Sequence, residues 1–439
     1  MLKTTVARSM NRTLWRGVLA SIVFGFGIPS QFELVIAGQI ECLHVDTPNI
    51  LTCDHRVPHI STVPANRNES VELFVRERVK DSGKEPSKVV LMIHGLSVPI
   101  LPGFELRTDH YDWALWLAQA GGFDVFMLDF QGSGRSPLPD RDIDVMKNPC
   151  NVNPAQLSIL IPNPLPDLSR CPSPTEPSYL SQLINSKSDW DELDTVIDYI
   201  RNLRGVDKVA LVSWSQGSFR IGPYAVQHPE KVESLLFYAP IFNPNGRASK
   251  AGTRFDSPAA LPVSNPAAQF GFPMTLTTKA GLESSWTREL QCDGQREEGI
   301  QEFVWSSIMD NDKIGSTWGS PPEAPEGVMR VRNPFLWGWN SNTVTLDGTL
   351  GGLVPVLIIY GELDTQVAAS PFSVPALYDA IPGTSKLMFK VACAGHFMVW
   401  EKQRRVLHHI SKEWLEHGAV EGFTNGSFFV DTEGNLIAQ

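Results

Sequence analysis

The sequence predicts an α/β fold: a mostly parallel central sheet flanked by helices, with a long insertion between two core strands. Three observations point there. Short, continuous apolar runs recur at 88–93, 124–130, 209–214, 232–238 and 354–360, and segments of helical spacing separate several of them. Strands that alternate with helices imply βαβ units and a parallel sheet. The 439 residues suffice for one large α/β domain with an insertion, or for two domains, and plentiful Pro and Gly imply long loops.

The N-terminus reads as an export signal over residues 1–37. Lys3, Arg8, Arg12 and Arg16 form a basic region, and the mostly apolar run from Gly17 to Ile28 is too short to span a bilayer. Val35-Ile36-Ala37 offers cleavage after Ala37, and a buried N-terminal helix is the alternative reading. Export makes the protein secreted or periplasmic, with no stable membrane insertion once the signal is removed. The remaining chain divides into residues 38–240, a first part of the core with a Pro-rich excursion at 137–186; residues 241–352, the insertion; residues 353–417, the second part of the core; and a tail at 418–439.

Taken in order, 39–46 and 71–79 read as strands, and 81–88 as a polar turn. The buried strand at 88–93 ends in His94-Gly95, and 111–120 has helical spacing. The strand at 124–130 runs into the glycine-rich loop Gln131–Ser136. Residues 189–201 form an amphipathic helix with Trp190, Leu193, Val196, Ile197 and Ile200 on one face. The strand at 209–214 leads into a helix through Gln227, and 232–238 is a further strand. The stretch 240–352 shows little strand pattern and holds five tryptophans: Trp286, Trp305, Trp318, Trp337 and Trp339. Beyond it, 354–360 and 386–391 read as strands, 372–380 and 398–417 as helices, and the tail as a β-hairpin about 432–435. His408 and His409 are expected on a solvated helix face.

The net charge of −11 argues against a nucleic-acid partner and against an anionic membrane surface. Six cysteines, an even count in an exported chain, read as disulfides, with buried free thiols as the alternative. Spacing favours Cys42–Cys53 and Cys150–Cys171 as local pairs, which leaves Cys292–Cys393 as a long-range pair. No Cys-x-x-Cys or Cys/His spacing suggests a zinc site, and no nucleotide fingerprint suggests a cofactor. Gly132 and Gly134 lack the following helix start that a phosphate-binding loop needs.

The chemistry centres on Ser213-Trp214-Ser215-Gln216-Gly217, where an apolar strand turns sharply into a helix. Such a turn lifts the serine out of the backbone, and small residues on either side let the chain bend. Glycine is usual at the first small position, and Ser213 stands there instead. A serine hydroxyl needs a base to take its proton, and the base needs an anion to orient it. Gly361-Glu362-Leu363-Asp364 and Gly395-His396 follow two later strands directly, so both types of group arise at strand carboxyl ends. In α/β sheets this is the edge where ligands bind. Glu362 competes with Asp364 for the acid role.

Together with His94-Gly95 and the Asp129–Ser136 loop, these pieces resemble the α/β-hydrolase superfamily over most of the chain beyond residue 37. The resemblance implies an α/β-hydrolase fold with Ser215 as nucleophile, His396 as general base and then acid, and Asp364 as orienting acid. It implies an oxyanion hole from the backbone N–H groups of Gln216 and Leu96, and makes the insertion a cap, or lid. His94 then holds the oxyanion loop and Asp129 pins the glycine loop. A serine at the elbow excludes haloalkane dehalogenases, which need aspartate there. The expected function is a secreted serine hydrolase acting on carboxylic esters, small or polymeric, through an acyl-enzyme. No oligomeric state is read from the sequence. Trp214, Phe242, Trp286 and Trp305, with Phe270 and Phe272, are the expected substrate walls. An exported peptidase that releases N-terminal residues is the alternative, with Glu283, Glu289, Glu297 and Glu298 available to grip an amine. A C–C bond hydrolase or a non-catalytic binding homologue follows behind.

Overall fold

A computed structural model describes residues 39–44, 49–81, 83, 86, 88–108, 110–136, 146–164, 182–259 and 272–439. The signal read at 1–37, much of the Pro-rich excursion, Cys171 and Phe270 lie outside the described residues.

Among the described residues thirteen strands run in chain order: β1 Gln39–Leu43, β2 Ile50–Ile60, β3 Ser70–Lys80, β4 Val89–Ile93, β5 Asp124–Asp129, β6 Val209–Trp214 and β7 Val232–Tyr238, then β8 Met274–Thr278, β9 Val328–Arg332, β10 Val356–Gly361, β11 Lys386–Val391, β12 Gly426–Val430 and β13 Leu436–Ala438. Eleven of them form one sheet in the order β1-β2-β3-β5-β4-β6-β7-β10-β11-β12-β13. From β5 to β12 every neighbouring pair is parallel, while β1–β2–β3–β5 and β12–β13 are antiparallel. All residues of β4, β5, β6 and β10 are buried. Helices cover both faces of such a sheet, which is why these strands read as unbroken apolar runs. The helix Ser186–Arg204 buries Trp190, Leu193, Val196, Ile197 and Ile200. It starts at a capping box, in which Asn185 accepts from Ser188 N–H and the Ser188 hydroxyl reaches back to Asn185 N–H.

The structure departs from the sequence reading at four places. β2 was missed because its alternation carries His, Asp, Arg and Pro58. Among the described residues β1 pairs with Thr52–Arg56, and Pro58 is paired with Glu72 of β3, near a sheet edge where a proline is tolerated. The 240–352 stretch contains a two-stranded sheet, β8–β9, and helices at Lys279–Thr287 and Ile300–Asp310. The helix expected at 398–417 is broken into a 3-10 turn Met398–Trp400 and a helix Arg404–His417, with Glu401 extended between them. His408 is 5% exposed and stacks on Trp113 and Trp116, with ring centroids 6.1 and 6.2 Å away, while His409 is exposed as expected. The tail hairpin forms and adds β12 alongside β11. No helix among the described residues is long and apolar enough to cross a membrane.

Two of the expected disulfides are present: Cys42–Cys53, joining directly paired residues of β1 and β2, and Cys292–Cys393, joining the insertion to the loop after β11. The Cys150–Cys171 pairing involves a residue outside the described ones. The Cys292–Cys393 bond closes a span of 101 residues. By chain entropy such a closure stabilises by about 4–5 kcal/mol. A Cys292→Ser/Cys393→Ser variant should therefore unfold at clearly lower urea concentration in non-reducing buffer. An unchanged midpoint would contradict this role.

Candidate active site

Ser215 follows β6 directly and opens a 3-10 turn, Ser215–Gly217, that leads into the helix Ser218–Gln227. Its φ is 56°, a left-handed conformation uncommon for a side-chain-bearing residue. Two glycines make room for the turn. A Cβ at Gly95 would lie 3.2 Å from Ser215 Cβ, and one at Gly217 would lie 2.9 Å from Ser213 Cβ and 3.1 Å from the His94 carbonyl oxygen. Ser213 is therefore accommodated because position 217 has no side chain. Ser215 itself is half-buried and lines an open pocket.

Asp364 follows β10 and His396 follows β11, and the two strands are parallel neighbours. His396 Nδ1 lies 2.8 Å from Asp364 Oδ2, and both side chains are buried. Asp364 Oδ1 accepts from the Gln366 and Val367 N–H groups at 2.9 and 3.1 Å, which caps the short helix Thr365–Ala368 and fixes the carboxylate. Glu362 is exposed. Burial lowers the basicity of His396. The Asp364 carboxylate at its Nδ1, aided by Glu289 and Glu401, outweighs that and lifts its pKa above the ordinary 6.5. A histidine whose Nδ1–H is held by a carboxylate presents Nε2 as a base.

The loop after β4 is held from below. Arg220, on the helix after Ser215, donates to the carbonyls of His94 and Gly95 and pairs with buried Asp189 at 2.7 Å. His94 Nε2 accepts from Phe130 N–H at 3.4 Å, so Nδ1 carries the proton and donates to the Gly95 carbonyl at 2.6 Å. Burial keeps this imidazole neutral, as do Arg220 and Arg332. In a trans peptide the N–H points opposite the carbonyl. With the Gly95 carbonyl held by Arg220 and His94, the Leu96 N–H is turned the other way. The Ser215 carbonyl accepts from Ile241 N–H, which turns the Gln216 N–H away from it in the same manner. Asp129 accepts from Ile100 and Arg135 N–H at 2.8 and 2.9 Å and so pins both this loop and the glycine-rich loop. Burial pushes its pKa up to about 6.

The pocket at Ser215 has a volume of about 220 Å³. Leu96, Gln216 and His396 line it with Ser215, and Val98, Ile241, Phe372 and Phe397 supply apolar wall. Of the aromatic residues expected to contact substrate that are described, Phe242, Phe272, Trp286 and Trp305 do not line the pocket, and Trp214 takes part. It is buried, stacked on Tyr238, and donates through Nε1 to the His396 carbonyl at 3.2 Å. Trp286 is 1% exposed, packs against Phe397 and Trp400, and donates to Glu401. Trp305 is buried and donates to the Glu326 carbonyl, and Phe242 packs on Trp339. Aromatic size predicted burial correctly but not which cavity a ring would face. Apart from Phe372, which lies farther along the segment after β10, the apolar walls are residues shortly after the ends of β4, β7 and β11, and that position was the usable signal.

Sequence reading also missed a buried polar layer behind His396. Glu289 is 0% exposed and accepts from His396 N–H at 2.6 Å. Glu401 accepts from Gly395 N–H, Gln295 Nε2 and Trp286 Nε1 at 2.8, 3.0 and 2.9 Å, and burial pushes its pKa up to about 7. Tyr238 donates to the His396 carbonyl at 2.7 Å. Glu289 is three residues before Cys292 and His396 three after Cys393, so the disulfide pairing carried the hint. Cys53, His55 and Glu77 also cluster, but the Cys53 sulfur is committed to its disulfide.

Comparison with known proteins agrees with this architecture. The model of the alpha/beta hydrolase fold family matches residues 88–403. A search of the curated proteins finds no match in sequence. Among solved structures, a serine hydrolase from the polyaromatic-hydrocarbon-degrading bacterium Cycloclasticus zankles is similar at 13% identity and TM-score 0.44, covering 86% of this chain and 98% of that one. A thermophilic esterase from Thermogutta terrifontis is similar at 15% identity and TM-score 0.44, covering 83% and 98%. The carboxylesterase CesB of Bacillus subtilis is similar at 13% identity and TM-score 0.42, covering 87% and 93%. Family membership rests on the match to the family model, which spans the strands carrying Ser215, Asp364 and His396: the chain belongs to the α/β hydrolase fold family.

Proposed function

We propose that the protein is an exported carboxylic ester hydrolase that works through Ser215, His396 and Asp364. The observation that carries this reading is the 2.8 Å bond between His396 and buried Asp364, with His396 and half-buried Ser215 on the wall of one pocket. Ser215 Oγ attacks the ester carbonyl carbon while His396 Nε2 takes the hydroxyl proton. The Leu96 and Gln216 N–H groups stabilise the oxyanion. Collapse expels the alcohol, which leaves with the proton from His396, and an acyl-Ser215 ester remains. Water then attacks with His396 again as base, and the acid departs as Ser215 regains its proton. Asp364 holds the imidazole in the required tautomer.

The walls support a small, uncharged acyl or alkoxy group. They are apolar except for Gln216, Gln366, Ser97, Ser215 and His396, and no carboxylate lines the pocket among the described residues. Glu289 is fully engaged and Glu297 pairs with Arg404 at 3.0 Å, so neither supplies the grip on an ammonium that an N-terminal peptidase uses. Export is part of the proposal. It is supported by the two disulfides and by the basic-then-apolar pattern of residues 1–37.

Short p-nitrophenyl esters should be hydrolysed faster than aminoacyl anilides, and the opposite preference would reverse the substrate assignment. Ser215→Ala should lower kcat by roughly 10³-fold or more while leaving the unfolding midpoint in place. Asp364→Asn should cost about 10³-fold or more, and Glu362→Gln about two-fold at most. Equal losses would mean the acid has been misassigned. His396 must be neutral to accept a proton, and its pKa is raised. kcat/KM should therefore fall as pH drops through a midpoint above 6.5. A profile flat down to pH 5 would exclude His396 as the base.

A further inference from the structure

Glu289 stands outside the strands that carry the reactive residues, in the insertion just after the helix Lys279–Thr287. Its carboxylate nonetheless joins two of their loops. Oε1 accepts from Thr365 N–H at 3.0 Å and from the Thr365 hydroxyl at 2.7 Å, and Oε2 accepts from His396 N–H at 2.6 Å. Thr365 follows Asp364 directly, so one rigid carboxylate spans the backbone beside the acid and the backbone of the base. Removing a carboxylate from water is costly unless donors replace the lost hydration. Three donors on two oxygens meet that need, and both loops are thereby tied to the position of Glu289.

The insertion is held firmly where this happens. Gln295 donates through Nε2 to the Glu289 carbonyl and to Glu401, and Glu401 in turn accepts from Gly395 N–H. The Cys292–Cys393 bond links the same two segments covalently. Gly395 makes the approach possible: a Cβ there would lie 2.8 Å from Glu289 Oε2 and 3.1 Å from Glu401 Oε1. The spacing between Asp364 and His396 is thus enforced from the insertion as well as by the pairing of β10 with β11.

We propose that Glu289 is a positioning residue: it locks the Asp364 and His396 loops at the separation that the Asp364–His396 hydrogen bond requires, and so makes the reactive geometry depend on the insertion. This rests on the reading of Ser215, Asp364 and His396 as the catalytic residues. A carboxylate that only stabilised the fold would leave the kcat of the folded enzyme unchanged. Three carboxylates act on that imidazole: Asp364 from the end of β10, Glu289 from the insertion and Glu401 from the segment before the last helix. Arg288 reaches the Thr365 hydroxyl from the exposed side, at 3.2 Å.

The test compares the full chain with Glu289→Gln, Thr365→Ala and Ser215→Ala on p-nitrophenyl butyrate, with the unfolding midpoint of each measured in parallel. The amide of Glu289→Gln keeps the shape, removes the charge and cannot accept from all three donors. Its kcat should fall about 10- to 100-fold with KM within about two-fold, and the acid limb of its pH profile should move to lower pH. Thr365→Ala removes one donor and keeps the charge, so kcat should fall by several-fold with the acid limb in place. Wild-type kcat and acid limb in Glu289→Gln overturn the proposal, as does a loss of activity that only tracks the loss of folded protein. If Glu289→Gln does not fold, wild-type kcat in Thr365→Ala overturns it. Activity retained in Ser215→Ala overturns the catalytic reading and this inference together, whereas activity lost there alone leaves the catalytic reading standing.

Discussion

The left-handed backbone of Ser215 is the constraint around which the rest is arranged. A side-chain-bearing residue in that region costs about 1–2 kcal/mol, and it persists only where its surroundings over-determine it. Here β6 lies between β4 and β7 in the middle of the parallel sheet, and the Ser215 carbonyl is held by Ile241 N–H from the segment after β7. Gly95 and Gly217 leave the space the turn needs. The residue before it, Trp214, is anchored by stacking on Tyr238 and by its bond to the His396 carbonyl. The strained turn and the histidine loop are therefore tied to each other through Trp214 and Tyr238.

Buried charge is used in the same way on both sides of Ser215. On one side Asp189 and Arg220 form a buried pair, and Arg220 spends a further nitrogen on the His94 and Gly95 carbonyls. On the other side Glu289 and Glu401 collect backbone and side-chain N–H groups around Gly395, His396 and Thr365. Such groups contribute little net stability against an apolar core of equal volume, but removing one partner is costly, on the order of 3–5 kcal/mol. Their effect is geometric: they allow one arrangement of three loops and penalise the others. On the proposed reading of Ser215, Asp364 and His396, the insertion is part of the scaffold that holds them.

Much of this was legible in the sequence because the core strands are buried on both faces. That burial writes β4, β5, β6, β7 and β10 as apolar runs, and the polar residues after β6, β10 and the less apolar β11, namely Ser215, Asp364 and His396, stand out against them. β2 was hidden because its polar alternation and Pro58 belong to a strand near the sheet edge. β8 and β9 were hidden because a two-stranded sheet has too few apolar positions to signal itself. Glu289 stands in the sequence only as one of four acids available to grip an amine, because nothing local reveals that three N–H and O–H donors converge on it. Trp286 and Trp305 were assigned to substrate because sequence reports that a ring is buried without reporting what it faces.

On the proposed reading Ser215 is made nucleophilic by its surroundings. Labelling the native protein with a fluorophosphonate, followed by peptide mapping by mass spectrometry, tests it most directly. A single adduct is expected, on the peptide that carries Ser215, and it should be lost in a His396→Ala variant that still folds. An adduct on a different serine, or none on the folded native protein, would contradict it.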